Sequence, residues 1–235
     1  MPDGTIIVTG ASRGIGAAIA RTLAAAGWSI AGLSRSGASA AGQGFACDMT
    51  DEMAIANAVR LIAARGPVVG LVNNAGQHDE TSSHAITAEN FDRLMRLNAT
   101  AVVVASREAY PHLKAAGGGL IVNIGSFFDK LGVKRNLAYC ASKAAVGAIT
   151  RCLAVEWAAD NIRVIDVAPG YIVTDLNRDM MAAGPLRAYL DKRIPRGEPG
   201  SAEEVGRLVA ALYREELRFL SGETIYIDGA QGIAH

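Results

Sequence analysis

The chain of 235 residues is half hydrophobic and one-fifth charged, and its 23 basic side chains match 23 acidic ones. That balance excludes a global field for nucleic acid or an anionic membrane, while the hydrophobic share suffices for a globular core. No apolar run approaches the ~18 residues of a membrane span, and the opening MPDGTIIVTGAS has no basic region of the secretory kind.

Short apolar runs alternate with helical patterns along the chain. Thr5–Thr9 (TIIVT) predicts a strand, Ile15–Ala26 a helix and Ser29–Ser34 a strand. Gly44–Asp48 then predicts a strand, Asp51–Arg65 a helix and Val68–Asn73 a strand. One long helix is expected over Thr87–Lys114, followed by a strand at Leu120–Gly125 and a helix that Tyr139 begins. Ile162–Ala168, a helix over Ala202–Tyr213 and Thr224–Gly229 complete the pattern. Strands that are apolar throughout suit a sheet covered on both faces. Alternation with helices makes that sheet parallel and doubly wound, a Rossmann-type α/β fold in a single domain, residues 1–235.

Punctuation agrees with these elements. Thr50 or Asp51, and Ser201, can cap helix starts, while Gly27 and Asn161 sit where left-handed residues end helices. Tyr171–Gly200, rich in glycine and proline, is the least regular stretch and has the character of a lid or binding loop. Cys47, Cys140 and Cys152 lack CxxC spacing and suit a reducing cytoplasm. His78, His84, His112 and His235 form no ligand cluster, so no metal is expected. His78 reads as a solvated loop residue.

The turn TGASRGIG (Thr9–Gly16) follows the first strand and opens the first helix. Gly10, Gly14 and Gly16 let the backbone turn sharply, and free N–H groups at a helix start favour a pyrophosphate. Tight strand–helix packing would also explain glycines there, but the position after the first strand of a βαβ unit favours a dinucleotide. Where such folds place an acid for the ribose 2′-hydroxyl, the second strand ends in Ser34-Arg35, nineteen positions beyond Gly16. Arg35 and Arg13, with no acid nearby, favour NADP(H) over NAD(H). Asp48 either meets the adenine amine or caps the turn before Asp51.

Two tyrosines stand four residues ahead of a lysine, Tyr110–Lys114 and Tyr139–Lys143, and each pair shares a helix face. Ligands of open α/β sheets lie beyond the carboxyl ends of the strands. Ser126 stands at such an end and Tyr139 follows thirteen residues later, near enough to return to the same edge. Tyr110 lacks that setting, so its pair reads as structural.

With TGASRGIG, NNAG (Asn73–Gly76), Asn98, IVNIGS (Ile121–Ser126), YCASK (Tyr139–Lys143) and PGYIVT (Pro169–Thr174) in this order, nearly the whole chain resembles the short-chain dehydrogenase/reductase family. The resemblance implies a catalytic tetrad of Asn98, Ser126, Tyr139 and Lys143. It also implies a cofactor site of Gly10, Ser12, Arg13, Gly14, Ile15, Gly16, Ser34, Arg35, Asp48, Asn74, Ala75, Gly76, Tyr139, Lys143, Pro169, Gly170, Ile172 and Thr174. Ile165-Asp166 departs from the family, which often has asparagine followed by an apolar residue there. The segment FFDKLGVKRN after Ser126 is individual and leaves the substrate open.

A phenol titrates near ~10, and a close cation lowers such a value by roughly 1–3 units. Lys143 is therefore expected to lower the pKa of Tyr139 and make it a usable general acid, with Ser126 holding the substrate oxygen. The resemblance adds Lys143 on the nicotinamide ribose and Asn98 interrupting its helix to bind a proton-carrying water. The resulting expectation is a cytoplasmic NADP(H)-dependent enzyme interconverting a ketone and a secondary alcohol. A 3-oxoacyl thioester reductase ranks first, and a sugar, polyol or hydroxy-acid dehydrogenase second. A non-catalytic NADP-binding sensor or scaffold should have lost part of the tetrad, which is whole. Lys130, Lys134 and Arg135 are candidates for an acyl carrier protein or a substrate carboxylate, and Phe127 and Phe128 either wall a pocket or pack in the core. Helical segments Asn98–Tyr110 and Ala144–Trp157 are apolar around most of their surface, and the family points to a homotetramer built on them.

Overall fold

The computed structural model describes residues 4–215 and 217–234; His235 lies outside them. Strand β1 (Thr5–Thr9) leads through the glycine turn into α1 (Gly14–Ala25), which returns to β2 (Ser29–Ser34) and β3 (Gln43–Ala46). Helix α2 (Glu52–Ala63) precedes β4 (Val68–Asn73), and α3 (Ala88–Met95) and α4 (Ala101–Ala115) precede β5 (Gly119–Ile124). Next come α5 (Leu137–Trp157), β6 (Ile162–Pro169) and the two-residue β7 (Ile172–Val173). Helices α6 (Arg178–Ala182) and α7 (Pro185–Arg193), β8 (Gly200–Ser201), α8 (Ala202–Arg214) and β9 (Thr224–Ile227) finish the chain.

The main sheet is parallel, in the order β3-β2-β1-β4-β5-β6-β9. Successive strand residues explain why both faces are covered. Ile7, Leu71, Ile121 and Val164 pack toward the layer of α2, α4 and α5. Ile6, Val8, Val72, Leu120, Val122 and Ile165 pack toward α1 and α8. A strand with both faces buried has no polar alternation to show, which is what the sequence predicts. Strand order reverses between β1 and β4, and that switch point is where a ligand crevice opens.

Asp51 caps α2 by accepting from the amides of Met53 and Ala54. Ser201 and Glu204 form a reciprocal capping box on α8. Gly27 (φ 94°) and Asn161 (φ 57°) hold the left-handed positions expected of them.

Two regions differ from the expectation. The single helix that periodicity gives over Thr87–Lys114 is split by a π-helical turn at Arg96–Thr100, at the interruption by Asn98 that the family resemblance implies. There the wider turn accompanies a side chain, Asn98, that is committed to partners outside the helix. The stretch Tyr171–Gly200 is more regular than its composition implies. Met181, Leu190 and Ile194 form a small core of their own, and β7 pairs with β8.

Candidate active site

A cleft of about 830 Å³ opens at the switch point. Its floor at one end is the glycine turn. Gly10 (φ 68°) and Gly14 (φ 57°) are left-handed, and a Cβ on Gly16 would stand 2.3 Å from the carbonyl oxygen of Gly10. The turn is pinned from the next strand: Asn74 Nδ2 donates to the Thr9 carbonyl at 2.9 Å, and Thr9 Oγ1 accepts from the amides of Asn74 and Ala75, each at 2.9 Å. Asp51, Thr87 and Ser201 cap α2, α3 and α8, yet no side chain caps α1 and no acid lies in its first turn. An open helix start in a rigid glycine turn fits a pyrophosphate.

Further along the cleft, Arg13 and Arg35 are exposed. Their charges suit a 2′-phosphate. Buried Ser34 is less available, because its hydroxyl donates to the Ala38 carbonyl at 2.7 Å. Asp48 caps its own turn, accepting from the amide and hydroxyl of Thr50 at 2.8 Å. Those bonds, chiefly, hold its carboxyl below the usual range, with help from Arg35.

The other end holds Ser126, Tyr139 and Lys143. Ser126 stands two residues beyond β5 and caps the short 3₁₀ turn Phe127–Lys130 through the Phe128 amide. Tyr139 and Lys143 stand one turn apart on α5, with the lysine Nζ 5.8 Å from the centre of the phenol ring. Lys143 is buried and donates to the Ile124 carbonyl at 2.7 Å. Burial pushes its pKa down to about 8, with the charge of Asp166 opposing.

The expected lowering of the Tyr139 pKa is corrected here. Burial raises it, and a hydrogen bond with Ser126 only partly opposes that rise. A poorly solvated phenol resists becoming tyrosinate, and Lys143 is turned toward Ile124 rather than the phenol.

A family model described as "Enoyl-(Acyl carrier protein) reductase" matches residues 10–230. A 3-oxoacyl-(acyl-carrier-protein) reductase of Mycobacterium tuberculosis is 34% identical over 236 residues, covering 98% of this chain and 94% of the relative. The chain belongs to the short-chain dehydrogenase/reductase family. It is accordingly a member of a family of nicotinamide-dependent oxidoreductases. Two solved members of the family superimpose closely. A 3-oxoacyl-(acyl-carrier protein) reductase from Brucella melitensis in complex with NAD gives a TM-score of 0.92 at 30% identity, covering 100% of this chain and 99% of the other. A putative NAD(P)-dependent gluconate 5-dehydrogenase from Beutenbergia cavernae with bound NADP gives 0.90 at 30%, covering 98% and 97%.

Among the residues expected from the family resemblance, Ser12, Ile15, Gly76, Pro169, Gly170 and Thr174 line the cleft. Gly16, Ile172 and Asn98 do not. Gly16 is buried in α1, and Ile172 belongs to the hydrophobic core. Asn98 donates to the Gln77 carbonyl at 2.9 Å and to Ser142 Oγ at 3.1 Å, and accepts from the Gln77 amide at 2.9 Å. It ties the loop after NNAG to α5.

Tyr110 and Lys114 lie away from the cleft, joined to Asp160 at 2.7 and 2.9 Å. Phe127 and Phe128 pack with Tyr171 behind Tyr139 rather than lining the cleft. His78 is exposed in a loop, as expected, and in addition stands edge-on to Tyr139 at 4.8 Å and bonds to buried Asn136. Its place two residues after NNAG was the available signal. Among the described residues, no group of three or more His, Cys, Asp or Glu could hold a metal, and no helix is long and apolar enough to cross a membrane.

Proposed function

We propose that residues 1–235 act as one oxidoreductase domain that reduces a ketone to a secondary alcohol with NADPH, and runs the reverse reaction with NADP⁺. The observation carrying this reading is the convergence of Ser126, Tyr139 and Lys143 on the cleft that begins at the uncapped start of α1. Arg13 and Arg35 support the 2′-phosphate. When bound, the nicotinamide supplies or accepts the hydride. The chain's own residues handle the oxygen. Ser126 Oγ orients the carbonyl and stabilises charge developing on it. Tyr139, kept protonated by its surroundings, gives up its proton only when the substrate oxygen becomes basic. Lys143⁺ stabilises the tyrosinate left behind.

A 3-oxoacyl thioester is the favoured substrate, supported by the mycobacterial relative's activity. An acyl carrier protein would meet exposed Lys130, Lys134 and Arg135, of which Lys130 lies over the Tyr226 ring at 3.5 Å and Arg135 approaches Glu80 at 4.0 Å. A hydroxy acid or polyol is the second reading, favoured by the His78–Asn136 polar pair beside Tyr139. Val103 and Val155, 41% and 82% exposed on α4 and α5, support a homotetramer. Three free cysteines fit a cytoplasmic setting. The test is NADPH consumption with 3-oxoacyl thioesters, keto acids and keto sugars. Turnover with the thioesters is expected; turnover with none of these carbonyl classes overturns the reading.

A further inference from the structure

Beneath the site, parallel register aligns Asn73 of β4, Asn123 of β5, Asp166 of β6 and Thr224 of β9. Same-register residues of neighbouring strands point to one face, here the face that α5 covers. Most of this polar row is satisfied. Asn73 Nδ2 donates to Asn123 Oδ1 at 2.9 Å, Asn123 Nδ2 to Thr150 Oγ1 on α5 at 2.9 Å, and Thr224 Oγ1 to Asp166 Oδ2 at 3.2 Å. Asp166 is fully buried, and its Oδ1 has no hydrogen-bond partner.

The carboxyl lies directly below the strand end that Lys143 grips. A Cβ on Gly125 would stand 2.5 Å from Asp166 Oδ1, and Gly125 follows Ile124, whose carbonyl accepts from Lys143. Gly147, one turn beyond Lys143 on α5, carries no side chain to close this lane; a Cβ there would stand 4.0 Å from Thr224 Oγ1. Lys143 and Asp166 are thus separated by backbone and small residues, without direct contact.

We propose, resting on the reading of Tyr139 and Lys143 as the proton-handling pair, that Asp166 is a positioning residue: a buried counter-charge that keeps the proton on Lys143. The other titratable groups facing Asp166 are Asp129 of the 3₁₀ turn and Tyr226 of β9, which hydrogen-bond each other at 2.8 Å. Arg151 on α5 is exposed and lies over Gly147. Lys143 is therefore the buried cation of this neighbourhood among the described residues. The two groups' tendencies agree with the geometry. Burial raises Asp166 to about 6, with Lys143 opposing, and lowers Lys143 to about 8, with Asp166 opposing. Between those values both are charged.

Removing the carboxylate leaves Lys143 with its desolvation and only the Ile124 carbonyl to offset it. In Asp166→Asn the amine should lose its proton at a pH lower by about one unit or more. The direct measurement is carbon-13 NMR of lysine-labelled protein, with the Lys143 signal assigned by its loss in Lys143→Met. Coupling between two sites is reciprocal. Lys143→Met should therefore raise the Asp166 titration, read in aspartate-labelled protein, by a similar amount. That second arm decides the matter if Asp166→Asn does not fold. With an active substrate, the alkaline limb of ketone reduction should move to lower pH in step with Lys143. Neither NMR measurement needs turnover, so failure of the proposed reaction stays separate from failure of this proposal. Unmoved midpoints, or a fall in kcat with an unmoved pH profile, would overturn it.

Discussion

Lys143 donates to the carbonyl of Ile124 at 2.7 Å, so the cation is anchored to the end of β5 rather than to the Tyr139 phenol. Tyr139 meanwhile keeps its proton because burial raises its pKa. On the proposed reading, anchoring and protonation together poise the site to give a proton to a substrate oxygen.

Tyr139→Phe should bind NADPH normally and lose turnover by at least the roughly 10²–10⁴ typical of general acid catalysis. The control is Tyr110→Phe, whose hydroxyl meets Asp160 and Lys114 outside the cleft. It should leave kcat and KM nearly unchanged. Equal turnover in the two variants on a working substrate would sink the assignment.

Cofactor choice should depend on Arg35. A 2′-phosphate carries nearly two negative charges, and a charge-assisted hydrogen bond contributes roughly 1.5–3 kcal/mol, about ten- to a hundred-fold in affinity. Arg35→Ala should lose that much NADPH affinity and scarcely alter NADH. Arg35→Asp should go further, repelling the phosphate and offering a carboxylate to a free 2′-hydroxyl. Fluorescence titration of both reduced cofactors is the measurement. Tighter NADH than NADPH binding in wild type would reduce Arg35 to a surface residue.

Gly70 makes a packing prediction. A Cβ there would stand 2.4 Å from Tyr213 Cε1, and Tyr213 is held by bonds to the carbonyls of Leu71 and Leu120 at 3.2 and 2.9 Å. Gly70→Ala should therefore destabilise by about 1–3 kcal/mol through overpacking. Gly132 has nothing within 4 Å of its Cβ position and no positive φ. Gly132→Ala should be neutral or slightly stabilising. Urea unfolding at fixed protein concentration distinguishes them, and equal midpoints would refute the packing account.

What the sequence disclosed follows from the range of the interactions. Apolar runs and caps such as Ser201 are local, so the elements and their parallel order were legible. The pairing of Tyr139 with Ser126 was legible because both attach to known ends of one βα unit. The interruption at Arg96–Thr100 was implied by the family resemblance, through Asn98; the periodicity missed it, since RLNAT carries no local signal for a π turn, whose shape accompanies Asn98 bonds to Gln77 and Ser142. Beyond the position of His78 after NNAG, its contact with Tyr139 was not legible, because it depends on how that loop meets the start of α5. The direction of the Tyr139 pKa depends on burial, which i, i+4 spacing cannot report.

Asp166 supplies the last prediction, one of stability against pH. Its folded pKa of about 6 lies above the ordinary 3.8. Between those values the folded chain binds more protons than the unfolded one, so this group's contribution falls as pH rises. Above pH 6 the carboxylate is ionised in both states, and its burial costs on the order of 3 kcal/mol, at about 1.4 kcal/mol for each tenfold change in proton affinity. Below the ordinary value the cost vanishes. Asn is nearly isosteric and cannot ionise, so Asp166→Asn should gain on wild type between pH 4 and 7. Lys143 adds an opposite trend where its folded form loses its proton first, above about pH 8 in wild type and from about one unit lower in Asp166→Asn. Urea midpoints of both proteins at pH 4, 5, 6 and 7 give the difference curve. A curve flat across that window would mean that Asp166 titrates alike in folded and unfolded chains.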